Sequence, residues 1–378
     1  MSDRTTSTST PRPTRWSFAA VFGLVGAVLV GIVVMAFVWP AATAQPQNLP
    51  VGISGPDAAV SAIQDKLAEQ DPAPFALQTV DSRDDAVNLI ETREIYGAIL
   101  LGDKPEVLIA TAAGAAPAAA LKAVATQLQT QIDGAVQTAL KDQLTAIVQA
   151  LQSGQKPQLP AGAAPTDVPT VTVTDVVPLS PDDPTGAGLA AASFPLVLGG
   201  MLGGILLTLL VQGAVRRLIG LVVFGVAAGA VIVLVMQTWF GILEGDWLLN
   251  AAAVGMGVTA TSAFIVGLAA LIGPAGVGVG AAVTMLIANP ISGAALPPQF
   301  LPEPWGAVGQ WFAPGAASTL LRSVSYFPEA STAFPWLVLA GWVVLGVVLT
   351  LVGHRRTAAE LTPRPAELEP AEPVPAAV

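Results

Sequence analysis

Leu189 to Val211 reads LAAASFPLVLGGMLGGILLTLLV, an unbroken stretch without Asp, Glu, Lys, Arg or His. A bilayer's hydrocarbon core is about 30 Å thick, which a helix crosses in roughly 20 apolar residues. The stretch is long enough. Arg216-Arg217 mark its end, and Leu218 to Trp239 returns as a second run of the same kind. Two such runs separated by a short basic turn predict an antiparallel pair of membrane helices.

The pattern continues toward the C-terminus. Leu243 to Trp247, with Glu244 and Asp246, is a short polar turn, and Leu249 to Ile272 is the next span, broken by Gly273-Pro274. Ala275 to Ala288 is a Gly-rich span that stops at Asn289-Pro290. Phe334 to Val352 is the last, ending in His354-Arg355-Arg356. Toward the N-terminus, Phe18 to Val38 is another apolar run, framed by Trp16 and Trp39 as in an interfacial aromatic belt. Ala42-Thr43-Ala44 matches a signal-peptide cleavage site, but the apolar core exceeds the usual 7–15 residues or so of a signal peptide. An uncleaved anchor is the reading taken, with cleavage as its alternative.

Composition agrees: 53% of residues are hydrophobic and 11% charged, against about 25% charged in soluble domains. The charge is segregated. Residues 40–188 hold seven Lys/Arg and seventeen Asp/Glu, a net of −10 equal to that of the whole chain. An acidic domain argues against nucleic acid as a partner. Absence of Cys removes disulfides and thiol chemistry, and one His (His354) argues against a histidine zinc site or a Ser–His–Asp triad. No phosphate-binding loop, G-x-S-x-G elbow, H-E-x-x-H or EF-hand loop occurs. The expectation is therefore no enzyme, no cofactor and no metal.

Residues 40–188 alternate between strand and helix signals. Strands are predicted at Pro50–Gly52, Phe75–Val80, Tyr96–Leu101, Val107–Ala110 and Thr170–Val177, and helices at Asp57–Glu69 and Asp84–Arg93, an α/β pattern. A long helix is predicted over Pro117–Leu151, because apolar residues from Leu121 to Leu151 step by three or four. Its stripe is expected to pack on its own domain, with a partner helix as the alternative. Gly154 to Pro169 reads as a linker.

The predicted organisation is a disordered cytoplasmic N-terminus (1–16), a first transmembrane helix (17–39) and an extracytoplasmic α/β domain (40–188). A five-helix membrane domain (189–353) and a disordered cytoplasmic tail (354–378) follow. Arg4, Arg12 and Arg15, then Arg216-Arg217, then Arg355-Arg356 fall on one side if there are six spans. The positive-inside rule makes that side the cytoplasm and places both termini there. No ionisable residue lies inside any of the six runs, which argues against proton coupling within the bundle; Gln212, Gln237 and Asn250 sit near span ends.

Two sets of residues are singled out. Gly199 with Gly203, and Gly225 with Gly229, have GxxxG spacing, which lets helix backbones approach closely. The readings are packing within the bundle or a homodimer face. The segment 290–333 is read as re-entrant or interfacial, with Trp305, Trp311 and Phe312 beside Pro and Gly. Arg322 sits there on a short helix, Ala316–Tyr326, with a lipid headgroup or a Glu as its expected contact.

Asn289, Pro290, Ser292 and Gly293, then Pro302, Pro314 and Leu321-Arg322 to Tyr326-Phe327, together with the anchor, the α/β domain and five C-terminal spans, carry a family likeness. The chain resembles the ABC-2-type membrane proteins, nearest to their YhgE/Pip-like branch, over most of residues 17–353. The resemblance implies a permease-like subunit of the cell membrane that exports a substrate with a separate ATPase. It implies a gating role for Asn289 to Gly293 and Arg322. Very short turns at 212–217 and 273–274 leave little cytoplasmic surface for an ATPase. The alternative is a non-transporting envelope protein whose outer domain binds a protein partner.

Overall fold

The computed structural model describes residues 15–70, 72–153, 169–294 and 296–360. The chain opens on helix α1 (Trp16–Ala42). It is apolar on every side, and none of its central residues is buried. Such a helix belongs in lipid, because water would not tolerate so large an apolar surface. It touches the rest of the fold mainly near its C-terminal end, where Phe37 meets Phe194 and Trp39 meets Trp305 edge-on.

An α/β domain follows: β1 (Leu49–Ser54), α2 (Asp57–Ala68), β2 (Phe75–Thr79), α3 (Arg83–Glu91), β3 (Gly97–Leu100), β4 (Glu106–Ile109), α4 (Ala115–Gln152) and β5 (Thr172–Asp175). The elements match the alternation read from sequence. The sheet is mixed, in order β2-β1-β3-β4-β5, with only β3 and β4 antiparallel. Ser82 starts α3 by accepting the Asp85 N–H at 3.1 Å, a standard cap for an otherwise orphaned amide. Arg83 grips Glu106 with both Nε and Nη2 (2.9 and 3.1 Å), tying α3 to β4.

Alternation along the strands makes two apolar faces. Leu49, Val51, Ile99, Val107 and Ile109 face the first turns of α4, against Ala118, Leu121 and Ala125. Ala98 and Leu108 face α3, through Ala86 and Ile90, and this second core runs on into the helical bundle through Leu321, Tyr326 and Phe327.

The apolar stripe of α4 packs on its own domain only at its base. Leu140, Leu144, Val148 and Leu151 are each at least half exposed. Length explains the difference. A four-residue strand spans about 13 Å, whereas 38 helical residues span about 57 Å. Of the expected linker, 154–168 lie outside the described residues.

The bundle comprises α5 (Ala187–Leu210), α6 (Ala214–Val233, continued as a π-helix to Trp239), α7 (Trp247–Ile272) and α8 (Pro274–Ala282, continued as a π-helix to Ala288). Short helices α9 (Trp305–Gly309) and α10 (Ala313–Tyr326) precede α11 (Ala333–Glu360). Helix α7 is central, in contact with α5, α6, α8, α10 and α11. Arg217 donates to Val211 O (2.7 Å) and Thr208 O (2.9 Å), answering the orphaned carbonyls that end α5. Asp246 caps α7 through the Leu249 N–H at 2.7 Å.

Among the described residues, five helices are long and apolar enough to cross a membrane: α1, α5, α6 with its π-turn, α7 and α11. That fits a multi-pass membrane protein. The sixth run, expected at 275–288, is the helix Pro274–Ala288. Its 15 residues rise about 22 Å, short of the roughly 30 Å core. Helix α11 runs to Glu360, past the expected tail boundary at 354, because His354 to Glu360 contains no Gly or Pro to stop it. The remaining tail and residues 1–14 lie outside the described residues.

Candidate functional site

The segment after α8 is a hairpin that reaches the α/β domain and comes back. Pro290 lacks the N–H a helix needs, so the π-helix ends at Ala288 with Asn289 as its cap. The Asn289 carbonyl accepts from Ser292 N (3.2 Å) and Ser292 Oγ (2.7 Å). Gly293 then turns the chain at φ +69°, a conformation that disfavours any side chain. Beyond it, Phe300 is buried among Leu49 and Val51 on the α4 side of the sheet. Gln299 O accepts the Gln47 N–H (2.9 Å), and its Oε1 accepts the Tyr96 hydroxyl (2.8 Å).

The return path closes the hairpin. Gln310 Nε2 donates to Ser292 O (3.0 Å), and its Oε1 accepts the Thr319 hydroxyl (2.6 Å). Pro314 stands in the first turn of α10, where a missing N–H costs nothing. Helix α10 lies along α7 and carries Arg322 back to the α/β domain, where Nη1 donates to Ala112 O at 2.8 Å.

Several cavities flank this hairpin, and three of them bear on the candidate residues. One, of about 230 Å³, is lined by Asn289, Pro290, Ser292 and Gly293 with Phe37 and Phe194, so the structure brings the first four candidate residues together. A second, about 60 Å³ and mostly apolar, lies between α5, α7 and α10, with Val197, Gly257, Thr261, Pro314 and Leu321 in its wall. The third, about 130 Å³, lies at the junction of the α/β domain and the bundle. Gly293 and Arg322 both line it, together with Arg93 and Tyr96.

Arg93 is a functional candidate that sequence reading missed. It follows the C-terminus of α3 in the left-handed region at φ 63°, where Gly is the usual residue. Its Nη1 donates to Thr319 O (3.2 Å) and Ser323 Oγ (2.6 Å), and its guanidinium lies 5.2 Å from the Phe327 ring centre. Burial lowers its pKa from the ordinary arginine value, though an arginine remains charged at neutral pH. Burial also pushes the Tyr96 hydroxyl up, against the opposing pull of Arg93 and Arg322. The Glu contact expected for Arg322 is not made. Among the described residues the ion pair is Arg83–Glu106, and neither junction arginine lies within 4 Å of a carboxylate.

The glycine pairs lie elsewhere. Gly225 and Gly229 press α6 onto α7 at Gly255, and Gly203 faces the Phe224 ring. A side chain at Gly199 would meet nothing within 4 Å; its neighbour Gly200 meets Thr261. Near the junction, Asn250 donates to Gln237 Oε1 (2.9 Å) and Glu244 O (2.7 Å) and accepts from Ser325 Oγ (2.8 Å). This fully buried side chain joins α6, α7 and α10.

With protein-family models, with curated proteins and with solved structures alike, comparison finds no match for this chain.

Proposed function

We propose that the protein is a permease-like subunit of an ABC-2-type export system in the cell membrane, working with a separate ATPase. One observation carries the reading. The helix Pro274–Ala288 stops short of a full crossing, and irregular backbone from Asn289 onward continues to the α/β domain, where Gln299 O accepts the Gln47 N–H. Irregular backbone at membrane depth is tolerated where it is buried in protein or lines a cavity, and transporters place their pathways at such broken helices. Here cavities flank the break on the α1 and α5 sides. Asn289, Pro290, Ser292 and Gly293 form the bend, and Arg322 anchors its far arm to the α/β domain.

On this reading α8 and the hairpin together count as the sixth crossing. Both termini, Arg216-Arg217 and Arg355-Arg356 are then cytoplasmic, and the α/β domain is outside. The chain has no native Cys, so Ala150→Cys tests the placement directly. Labelling of that thiol only from the cytoplasmic side would sink the topology.

A second reading rests on α4. Its exposed apolar stripe suits an envelope protein that binds a partner through its outer domain rather than moving a substrate. Purification of the tagged chain in mild detergent, with an ATP hydrolysis assay, separates the two. A stoichiometric ATPase supports the permease. An envelope protein recovered through α4, with no ATPase, supports the alternative and overturns the first reading.

A further inference from the structure

We propose that the junction cavity binds a phosphate-class oxyanion, supplied either as free phosphate or as the phosphodiester of an acidic lipid headgroup. The proposal stands whether the protein exports a substrate or binds an envelope partner.

Charge is the first argument. Arg93 and Arg322 face the same cavity of about 130 Å³, and no carboxylate answers either one within 4 Å among the described residues. Two cations in so small a space repel each other, and each has given up part of its hydration. An anion between them turns the repulsion into two attractions.

Free donors are the second. A guanidinium offers five N–H groups. Arg322 uses Nη1 on Ala112 O, and its Nε and Nη2 have no protein acceptor among the described residues. No buried side-chain nitrogen there is sealed away without a partner, so these donors reach open space, and Arg322 lines both this cavity and the smaller one between α5, α7 and α10. A planar fork of this kind matches phosphate oxygens two at a time.

The third argument is the backbone around the arginines. Helix α4 begins at the cavity wall with Gly114 and Ala115, and no side chain caps it. Helix α5 begins there too, at Gly186 and Ala187, but Asp183 already accepts its Gly188 and Leu189 N–H groups. The open end of α4 therefore adds amide donors and the positive end of a 38-residue helix to the two guanidinium groups.

Arg93 supplies the fourth. A non-glycine residue is strained in the left-handed region, where Arg93 stands at φ 63°. Helix termination alone would be better served by Gly. The retained guanidinium meets α10 and looks into the cavity, which is a use for the side chain that the turn does not require.

Full-length protein is stripped of lipid in detergent, and thermal unfolding is followed in phosphate against chloride at equal ionic strength. It is then repeated in nanodiscs of phosphatidylcholine with and without phosphatidylglycerol. Stabilisation by phosphate in detergent supports the proposal with the free anion as ligand. Stabilisation only by phosphatidylglycerol supports it with the headgroup as ligand. Arg322→Gln is expected to weaken either effect about tenfold or more, as loss of a charge-assisted contact would.

Should Arg322→Gln fail to fold, Thr185→Glu decides. Thr185 is an exposed residue of the cavity wall that makes no hydrogen bond among the described residues. A carboxylate there competes with the anion and should give a similar loss. No stabilisation by either phosphate source overturns the proposal. So does stabilisation that persists at full strength in Thr185→Glu.

Discussion

Helices α1 and α7 are uncharged, apolar and of nearly equal length, 27 and 26 residues. By hydropathy both qualify as spans, α1 with a mean hydropathy of 2.9 and α7 with 1.9. In the fold they are opposites: the central stretch of α7 is 61% buried in protein, and that of α1 not at all. Hydropathy measures compatibility with lipid, and a lipid tail is as apolar as a leucine, so it does not report which helix packs against which. Glycine content does not separate them either. Gly23, Gly26 and Gly31 of α1 meet nothing within 4 Å, whereas Gly255 and Gly267 of α7 meet the backbones of α6 and α11. What distinguishes α7 is small residues on several faces at once, together with Asn250, Thr261 and Ser262, all buried.

The difference can be tested by substitution, with unfolding of the purified protein in detergent as the measurement. Gly255→Leu should have the largest effect. A side chain there meets Gly225 O at 2.6 Å, so α6 and α7 must separate at a cost of about 3 kcal/mol, the upper range for overpacking. If it unfolds like the wild type, α7 is not the centre of the bundle. Asn250→Ala should cost about 1 kcal/mol, by removing three hydrogen bonds between helix ends in or near lipid. Ser262→Ala loses the 2.7 Å bond to Gly200 O that ties α7 to α5, worth about 0.6 kcal/mol.

The α/β domain provides a contrast that responds to acid. Arg83 holds the Glu106 carboxyl below its ordinary range, first by hydrogen bonding and then by charge. A depressed carboxylate pKa contributes stability at pH above the unfolded-state value, and that contribution is lost as pH falls through the folded-state value. Arg83→Ala should therefore cost about 0.5 kcal/mol at neutral pH, discounted for the exposure of the arginine, and nothing once Glu106 is protonated. An equal loss at both pH values would show that the pair acts by packing and not by charge. Smallest of all, Gly26→Leu on α1 should stay within about 0.5 kcal/mol of wild type. A larger loss would mean that α1 has a protein neighbour.

Much of the candidate site was legible. Asn289-Pro290 announces a helix stop, since Pro removes a donor, and the aromatic and Pro-rich residues after it announce irregular backbone. Arg322 stands out as a charge among apolar neighbours. Arg93 does not, because Thr92-Arg93-Glu94 reads as an ordinary polar helix end. Its left-handed backbone, and its approach to Ser323 across 230 positions of sequence, depend on how two distant segments meet. Phe300 was equally silent. A lone aromatic between prolines carries no periodicity, yet it fills the core beneath β1.

Local chemistry thus determined the elements of this protein. Runs free of charge set the spans, period-two and helical patterns set the α/β domain, and Gly and Pro set the breaks, because each acts over a few residues of its own chain. Tertiary structure alone decided that α7 lies at the centre and α1 at the edge, that α4 outruns its sheet, and that two arginines share one cavity. Those outcomes depend on shape complementarity and on charge balance between segments far apart in sequence, and no local pattern encodes either.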